Sequence, residues 1–462
     1  MQSIKVPIAT LAVLSVLVAC SKPTSEAEDE RPNVLLVIVD DLSDWVGCLN
    51  GHRDAHTPHI DSLAESGVLF SNAHAQATIC NPSRTSFMLG LRPTSTGIYE
   101  NDPWFRDVPE LAQHVTLLQH FKSEGYLTLS AGKIFHSSES DSLSIDVQGP
   151  TPGQGNAEDR RALHGKRWHI WDYGARDYDE SEFVDATVAA WAEERLAEEI
   201  ERPFFMAVGF YKPHVPLFAP KRLFEADFSS IALHELPADD LLDVPPIALS
   251  MRRDASMNDW FQRETRRADV TQAYLATTSF VDEQVGRVVT ALQQSPYAEN
   301  TVVVLVSDHG MHLGEKTIWG KRTLWERSTH VPFIIAMPGE PPGIQIEQTV
   351  ELVSLYPTLL ELCGLPKPSN ANFEGPSLAP LLKDPTLAWD YSAITSLSAD
   401  DHAVRTNDWR YIRYANGSEE LYDRRVDTNE WTNLAGDEQF AAKKNELEAF
   451  LPTNVKPNAT GR

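Results

Sequence analysis

Four short clusters of polar residues carry side chains that could do chemistry, and each follows directly after an apolar run. They are Asp40-Asp41, Lys133 with His136, Lys212-Pro213-His214, and Asp308-His309-Gly310. Carboxylates and imidazoles bind divalent metal ions and transfer protons, and lysines neutralise anions. Taken singly, each cluster could be a helix cap, a surface loop or a turn. Together they favour one site with metal-binding and acid–base chemistry.

The apolar runs before these clusters predict buried strands of a largely parallel sheet. These runs, with one further run near residue 333, cover residues 34–39, 126–130, 204–208, 301–306 and 331–335. Helical patterns alternate with them at residues 60–66, 111–125, 182–199, 273–293 and 353–363. The alternation predicts a three-layer α/β domain. Because ligands bind at the carboxyl ends of strands in such sheets, we expect the four clusters to converge in one crevice.

Composition limits the classes of partner. The chain has 462 residues and a net charge of −26, so it is not a general nucleic-acid binder, which needs clustered positive charge. With 42% hydrophobic residues it is a folded protein, long enough for one large domain and a smaller one. We place a catalytic domain at residues 32–388 and a C-terminal subdomain at 389–462. Short antiparallel strands at 393–398, 408–414 and 419–422 and a helix at 438–450 are expected in that subdomain.

The first residues are typical of an export signal. The apolar run from Ile8 to Ala19 is too short to span a bilayer, and it ends in Leu17-Val18-Ala19-Cys20, which resembles a bacterial lipobox. Residues 1–20 are therefore interpreted as a lipoprotein signal peptide with lipidation at Cys20; an ordinary signal peptide is the alternative. Residues 21–31 are interpreted as a flexible tether. We expect a lipid-anchored protein of the bacterial periplasm or outer membrane, contacting the membrane only through that anchor.

The remaining cysteines are Cys48, Cys80 and Cys363, and three sulfurs cannot all pair within one chain. Cys80 begins the sequence Cys-Asn-Pro-Ser-Arg, which resembles the Cys-x-Pro-x-Arg signature of type I sulfatases. By itself such a short motif also fits a buried structural cysteine followed by a turn. Met88-Leu89 stands before Gly90 where family members commonly have Leu-Thr, in a part read by the maturation enzyme.

The resemblance extends over nearly the whole chain and is strongest to the iduronate-2-sulfatase branch. Beyond the Cys80 signature it rests on residues 40–42, 57–61, 132–136, 212–216 and 307–310, and on Lys321, Glu326 and His330-Val331-Pro332. It implies an alkaline-phosphatase-like sulfatase fold and a formylglycine made from Cys80 by a maturation enzyme before export. In that family the hydrated aldehyde is the nucleophile.

The resemblance also implies a divalent metal site, formed by Asp40, Asp41, Asp308, His309 and one oxygen of the modified Cys80. Three carboxylates favour Ca²⁺, with Mg²⁺ and Mn²⁺ as alternatives.

The remaining catalytic roles follow from the same resemblance. Arg84 lies four residues after Cys80, so both side chains share one face if a helix begins there. Arg84 and Lys133 would hold the nucleophile and the sulfate, and His136 would take a proton from the nucleophile. His214 and Lys321 would face the leaving oxygen, one of them as proton donor. Without the surrounding pattern, Lys133 and Lys321 would be interpreted as solvated surface lysines.

For the substrate, the resemblance suggests a sulfated carbohydrate, such as a sulfated uronate at the end of an oligosaccharide. Candidate contacts to its sugar are Asn101, Trp104, Arg106, His402 and Arg405. Trp104 could instead be a core aromatic. Polar loops at residues 141–167 and 229–266 are expected to wall the site. The alternatives are a phosphodiester or phosphonate ester hydrolase of the same superfamily, and a non-catalytic glycan-binding envelope lipoprotein.

Overall fold

A computed structural model describes residues 31–136, 141–151, 162–164, 171–225, 231–251, 255–262, 264–339, 341–369 and 371–460. The predicted signal peptide, the lipidation of Cys20 and the tether up to residue 30 lie outside these residues. Parts of the predicted loops at 141–167 and 229–266 also lie outside them. Across the described part of the chain, every helix is too short or too polar to span a bilayer.

The strands are, in chain order, β1 (Asn33–Val39), β2 (Val68–Phe70), β3 (Ala73–His74), β4 (Leu127–Gly132), β5 (Val147–Gln148), β6 (Tyr173–Arg176), β7 (Phe204–Phe210), β8 (Leu217–Pro220), β9 (Thr301–Ser307), β10 (His312–Leu313), β11 (Trp319–Gly320), β12 (Phe333–Ala336), β13 (Ile344–Ile346), β14 (Val350–Glu351), β15 (Ala393–Ser396), β16 (His402–Arg405), β17 (Trp409–Arg413) and β18 (Glu419–Asp423). The helices are α1 (Pro58–Ser66), α2 (Cys80–Leu89), α3 (Pro93–Thr96), α4 (Leu117–Ser123), α5 (Val184–Leu196), α6 (Pro246–Ser250), α7 (Ala255–Phe261), α8 (Glu264–Gln293), α9 (Glu326–Thr329), α10 (Leu355–Leu362), α11 (Ala379–Lys383) and α12 (Ala441–Glu448).

The main sheet of the described residues has eight strands in the order β13-β2-β12-β9-β1-β7-β4-β5. Strand β1 lies between β9 and β7, parallel to both, and Val39 is opposite Ser307 on one side and Phe210 on the other. Strand β12 is antiparallel to both of its neighbours. All seven residues of β1 are buried because both faces of the sheet are covered. The predicted mostly parallel α/β sheet is confirmed.

Alternate residues of β1 enter two separate cores. Val34, Leu36 and Ile38 pack with side chains of α2, α4 and α10 on one face. Leu35 and Val37 pack with side chains of α1, α5 and α8 on the other. Because successive side chains of a strand point to opposite faces, one central strand joins both helical layers. This arrangement is the predicted three-layer architecture.

Several predicted elements differ from the structure. The helix expected at residues 273–293 begins at Glu264, and the expected irregular loop at 229–266 contains the helices α6 and α7. The helix expected at residues 111–125 begins only at Leu117, because the Thr116 hydroxyl accepts the N–H of Gln119 and caps the helix there. The C-terminal antiparallel sheet has the order β15-β16-β17-β18, so it contains a strand, His402–Arg405, that the sequence pattern did not indicate. Its other strands lie where they were expected. The boundary between the two predicted domains stays a prediction.

A buried charge cluster joins α9 to this small sheet. Glu326 accepts hydrogen bonds from Arg405 Nε at 3.1 Å and from Arg410 Nη2, and its Oε1 lies 3.2 Å from Arg424 Nη2. Burial would raise the pKa of Glu326, but the three arginines outweigh it and hold the pKa well below 4.5. Glu326 is therefore the carboxylate that these three guanidinium groups share, and Glu430, 2.7 Å from Arg410 Nε, supplies a second negative charge.

We expect Glu326→Gln to destabilise the fold by about 3 to 5 kcal/mol, because it removes the negative charge that the buried arginines share. Because folding lowers the pKa of Glu326, its contribution is present above about 4.5 and is lost as the pH falls toward the folded-state value. Urea unfolding at pH 7 and at pH 4 measures both effects. Equal stability of the wild type and the variant at pH 7 would contradict this assignment.

Candidate active site

The four polar clusters meet at one edge of the main sheet. Strands β9, β1, β7 and β4 are adjacent and parallel, so their carboxyl ends lie side by side. Asp308, Asp40, Tyr211 and Lys133 are the residues that follow these four ends. The convergence expected from the sequence pattern is therefore present in the structure.

Cys80 is the first residue of α2 and is 1% exposed. Its Sγ lies 3.1 Å from Lys321 Nζ and 3.3 Å from His309 Nε2. A position at a helix N-terminus adds the positive end of the helix dipole to the charge of Lys321. Cys80 thus lies where an anion is stabilised, in contact with a lysine and a histidine from the segment after β9. Cys48 and Cys363 are, like Cys80, free thiols in the described part of the chain.

Buried ion pairs fix the carboxylates around this thiol. Asp40 accepts hydrogen bonds from Lys133 Nζ at 2.6 Å and Arg84 Nη2 at 3.1 Å. Arg84 Nε donates to Asp308 at 2.8 Å, and Lys321 Nζ donates to Asp41 at 2.6 Å.

The guanidinium of Arg84 is held by these carboxylates and by two backbone carbonyls, those of Lys133 and Ile134. Because its nitrogen atoms donate to these groups, Arg84 orients Asp40 and Asp308. The sulfate contact that the family resemblance implies for Arg84 stays a prediction.

The donor atoms fit a divalent metal ion. One atom from each of Asp40, Cys80, Asp308 and His309 lies within 4.8 Å of the others, as does a second set formed by Asp40, Asp41, Cys80 and His214. Nδ1 of His309 lies 3.0 Å from the carbonyl oxygen of Gly310, which directs Nε2 toward the carboxylates. Several carboxylate oxygens with one imidazole suit an oxygen-seeking ion.

The carboxylates and lysines of the site stabilise one another's charged forms. Burial would raise the pKa of Asp40, but Lys133, His214 and Arg84 outweigh it and hold the pKa well below the usual range. Burial likewise opposes the charge of Lys133, yet Asp40 raises the pKa of Lys133 to about 12. The pKa of Lys321 is raised well above 10.5, chiefly by Asp41 acting against burial. Ionised carboxylates and protonated lysines therefore coexist at neutral pH.

His136 and His214, the two histidines that the family resemblance assigns to proton transfer, are uncharged at neutral pH. Burial, reinforced by Lys133, lowers the pKa of His136 to about 3. Burial lowers the pKa of His214 to about 4, although Asp41 acts in the opposite direction. The Nδ1 atom of His214 lies 2.7 Å from the carbonyl oxygen of Val215, and its Nε2 lies 3.9 Å from Asp41. Both imidazoles are thus available as proton acceptors.

Of the candidate sugar contacts, Asn101 lies beside the signature: its side-chain oxygen accepts the N–H of Asn81 at 3.4 Å. The side chain of Arg106 is bonded to Asp141, and that of Arg405 to Glu326.

The other two candidates also have partners within the fold. His402 contacts the hydroxyl of Ser396 and a nearby carbonyl, and Trp104 packs on the core against Phe105. These contacts favour the core interpretation of Trp104. The substrate roles of all five residues stay predictions.

The structure adds groups that sequence reasoning did not single out. The Ser83 hydroxyl donates to the backbone carbonyl of Asp308, and the Tyr274 hydroxyl donates to that of Asp41. Tyr211 places its ring 5.7 Å from Lys133 Nζ. Tyr211 directly precedes the Lys212-Pro213-His214 cluster, which was a usable signal. Tyr274 lies in the middle of a long helix and offered none.

Comparison with known proteins agrees with this geometry. The family model described as Sulfatase matches residues 32–365, and the model described as N-sulphoglucosamine sulphohydrolase, C-terminal, matches residues 314–456. A sulfatase of Formosa agariphila is 38% identical over 459 residues, covering 95% of this chain and 89% of that protein. The iduronate 2-sulfatase of Mus musculus is 33% identical over 388 residues, covering 73% and 69%. The crystal structure of a phosphonate monoester hydrolase of Agrobacterium radiobacter superposes with a TM-score of 0.76 at 22% identity, covering 91% and 94%.

A mostly parallel sheet whose strand ends carry buried acids and a histidine, with a cysteine beside them at the start of α2, has the alkaline-phosphatase-like fold. The chain belongs to the sulfatase family. It is a sulfuric ester hydrolase, as the sequence resemblance implied.

Proposed function

We propose that this enzyme removes sulfate from a sulfated carbohydrate, with a formylglycine made from Cys80 as nucleophile and with Ca²⁺ as the metal. The observation that carries the proposal is the position of Cys80 Sγ, within 3.3 Å of both Lys321 Nζ and His309 Nε2. Asp40, Asp41, Asp308 and His309 would hold the ion, together with the modified Cys80. Mg²⁺ and Mn²⁺ are the alternatives for the same donors.

Formylglycine supplies an oxygen nucleophile when hydrated, and the ion supplies positive charge at the sulfate. The chain itself supplies fixed positive charge around them. Lys133 and Lys321 are protonated and anchored by Asp40 and Asp41 at 2.6 Å, so they neutralise a sulfate without reorganising. Arg84 keeps two carboxylates in place. This local charge accounts for an anionic substrate in a protein of net charge −26.

Proton transfer is assigned from the protonation states. His136, uncharged at neutral pH, accepts a proton from the nucleophile. At the leaving oxygen, Lys321 carries a proton, whereas His214 is uncharged in the free enzyme. A bound sulfate is an anion and raises the pKa of His214, which prepares that imidazole as the proton donor. Lys321 then stabilises the charge on the leaving oxygen.

The substrate class is supported by the 33% identity to an iduronate 2-sulfatase. We propose a sulfated uronate or a related algal or glycosaminoglycan sugar, presented at the end of an oligosaccharide. Export, a lipid anchor at Cys20 and a formylglycine-generating maturation enzyme complete the proposal. They rest on the N-terminal sequence and on the Cys80 motif.

The closest competing activity is phosphonate or phosphate ester hydrolysis at the same site. We expect kcat/KM for an aryl sulfate to exceed that for the matching aryl phosphonate by at least about tenfold, or about 1.4 kcal/mol in transition-state stabilisation. Steady-state assays with esters of the same phenol measure this ratio. A panel of sulfated oligosaccharides of defined linkage then tests the sugar. A preference for the phosphorus ester would overturn the assignment of sulfate as substrate, and glycan binding without turnover would favour a non-catalytic protein.

A further inference from the structure

Asp185 is a buried carboxylate that the four clusters do not include. It lies in the first turn of α5 and is 2% exposed. Its Oδ1 accepts the backbone N–H of Tyr211 at 2.7 Å, and its Oδ2 accepts that of Lys212 at 2.8 Å. These are the first two residues after β7. Both carboxylate oxygens of Asp185 therefore accept hydrogen bonds from the start of the segment that carries His214.

That segment, residues 211–216, is named the His214 loop, and it is held together internally. The hydroxyl of Tyr211 donates to the carbonyl of Val215 at 3.1 Å, and His214 Nδ1 lies 2.7 Å from the same oxygen. Lys212 Nζ donates to the carbonyl of Pro216 at 2.6 Å. The Tyr211 and His214 rings lie 4.8 Å apart. The loop is thus one bonded unit whose first two N–H groups both end on Asp185.

Burial of the Asp185 carboxylate affects both its pKa and the stability of the fold. Burial raises the pKa of Asp185 to about 6, although the two N–H donors and Lys212 act in the opposite direction. A carboxyl group whose pKa is raised on folding lowers stability above its unfolded-state pKa, because the charged form is then the disfavoured one. The ionised form of Asp185 therefore costs stability at neutral pH relative to the protonated form. Its geometric effect is to fix two adjacent backbone amides at once.

We propose that Asp185 is a positioning residue for sulfate ester hydrolysis, which sets the place of His214 Nε2 by anchoring the His214 loop. This inference rests on the role proposed above for His214. The backbone of the His214 loop sets the position of the imidazole, whose Nε2 lies 3.9 Å from Asp41. Misplacing a catalytic group by about 1 Å can lower the rate about 100-fold. A loop anchored at one N–H instead of two would allow such a displacement.

The test begins with Asp185→Asn, which keeps the side-chain shape but offers one acceptor and turns an NH₂ donor toward the other N–H. We expect kcat for an aryl sulfate to fall at least about tenfold while KM changes less than about twofold. Asp185→Ser, which also keeps one acceptor, is measured in parallel in case the first variant fails to fold. A kcat within twofold of the wild type in a folded variant would overturn the inference.

Asp282 provides a matched control. It is also a buried aspartate whose two oxygens accept consecutive backbone N–H groups, those of Ile60 at 2.8 Å and His59 at 3.2 Å. These amides belong to the start of α1, which carries none of the proposed catalytic residues. Asp282→Asn should leave kcat of the folded enzyme unchanged, and its melting curve, measured beside that of Asp185→Asn, shows how far each substitution changes stability. An equal loss of kcat in both variants would point to general destabilisation and contradict a specific role for Asp185.

A double-mutant cycle tests whether Asp185 affects kcat through His214. If Asp185 acts through His214, then Asp185→Asn should change kcat less than about twofold in a His214→Ala background. Full additivity of the two losses would overturn the inference. If His214→Ala alone has no effect, the proposed role of His214 fails, and this inference fails with it. If His214→Ala lowers kcat but Asp185→Asn does not, only the inference about Asp185 fails.

Discussion

Replacing Cys80 by alanine is expected to lower kcat/KM for sulfate esters by about 10⁴-fold or more, because it removes the proposed nucleophile. The Sγ position is surrounded by Lys321 and His309, and alanine fills part of that space without a reactive atom. Cys48→Ser is the control, since that half-buried thiol contributes no atom to the site. Steady-state kinetics of both variants in a host that contains the maturation enzyme measures the effect.

Mass spectrometry of the wild-type peptide that contains Cys80 complements these kinetics. We expect a mass in which the H₂S of the thiol is replaced by one oxygen atom. An active enzyme with only unmodified thiol at Cys80 would contradict the formylglycine proposal. A fully active alanine variant would contradict any nucleophilic role for this position.

The second large effect is expected from Asp308→Asn. Asp308 accepts backbone N–H groups of Asp41 and His309 at 3.2 and 3.0 Å and pairs with Arg84 at 2.8 Å. The substitution keeps the size of the side chain and removes the charge that a divalent ion would meet. We expect activity to fall by about 10³-fold, because the loss weakens binding of the ion and removes one of the two carboxylate partners of Arg84.

A measurement independent of activity accompanies this prediction. Ca²⁺ added to EDTA-dialysed wild type should raise the melting temperature, since a ligand that binds only the folded state stabilises it. The same addition should leave the melting temperature of Asp308→Asn unchanged. Asp384→Asn, which removes the same charge from an exposed turn, should respond like the wild type. A wild type that keeps its activity in EDTA and does not respond to Ca²⁺ would exclude the ion from the mechanism.

Much of the site could be predicted from the sequence because its chemistry follows the strands. Asp40, Lys133 and Asp308 each come directly after a buried run, and parallel strands bring such residues to one edge. The arrangement around Arg84 could not be predicted in the same way. Its carboxylate partners are 44 and 224 residues away, so only the folded chain shows that the guanidinium orients acids.

The C-terminal sheet also contains a feature that could not be predicted from the sequence. The residues His402-Ala-Val-Arg405 are polar at both ends, so their pattern does not indicate a buried strand. Arg405 is buried all the same, because Glu326, 79 residues earlier, supplies its counter-charge. Local patterns record hydrophobicity, whereas burial of a charge depends on a partner elsewhere in the chain.

The depth of Cys80 has a consequence for the order of events in the cell. The thiol is 1% exposed, and the groups that cover it, His309 and Lys321, are 229 and 241 residues later in the chain. Under the proposed function, the maturation enzyme must reach Cys80 before these groups close over it. At about 5 to 20 residues per second, synthesis alone leaves about 10 to 50 s between the appearance of Cys80 and that of Lys321.

Maturation and folding therefore compete in time for the same sulfur atom. A cell that lacks sufficient maturation enzyme should accumulate protein that is folded, stable and inert, and adding the enzyme later should not rescue it. Slowing chain closure should have the opposite effect and increase the modified fraction. Under the proposed function, the yield of active enzyme depends on whether Cys80 is modified before the chain folds, and the melting temperature of the purified protein does not report the modified fraction.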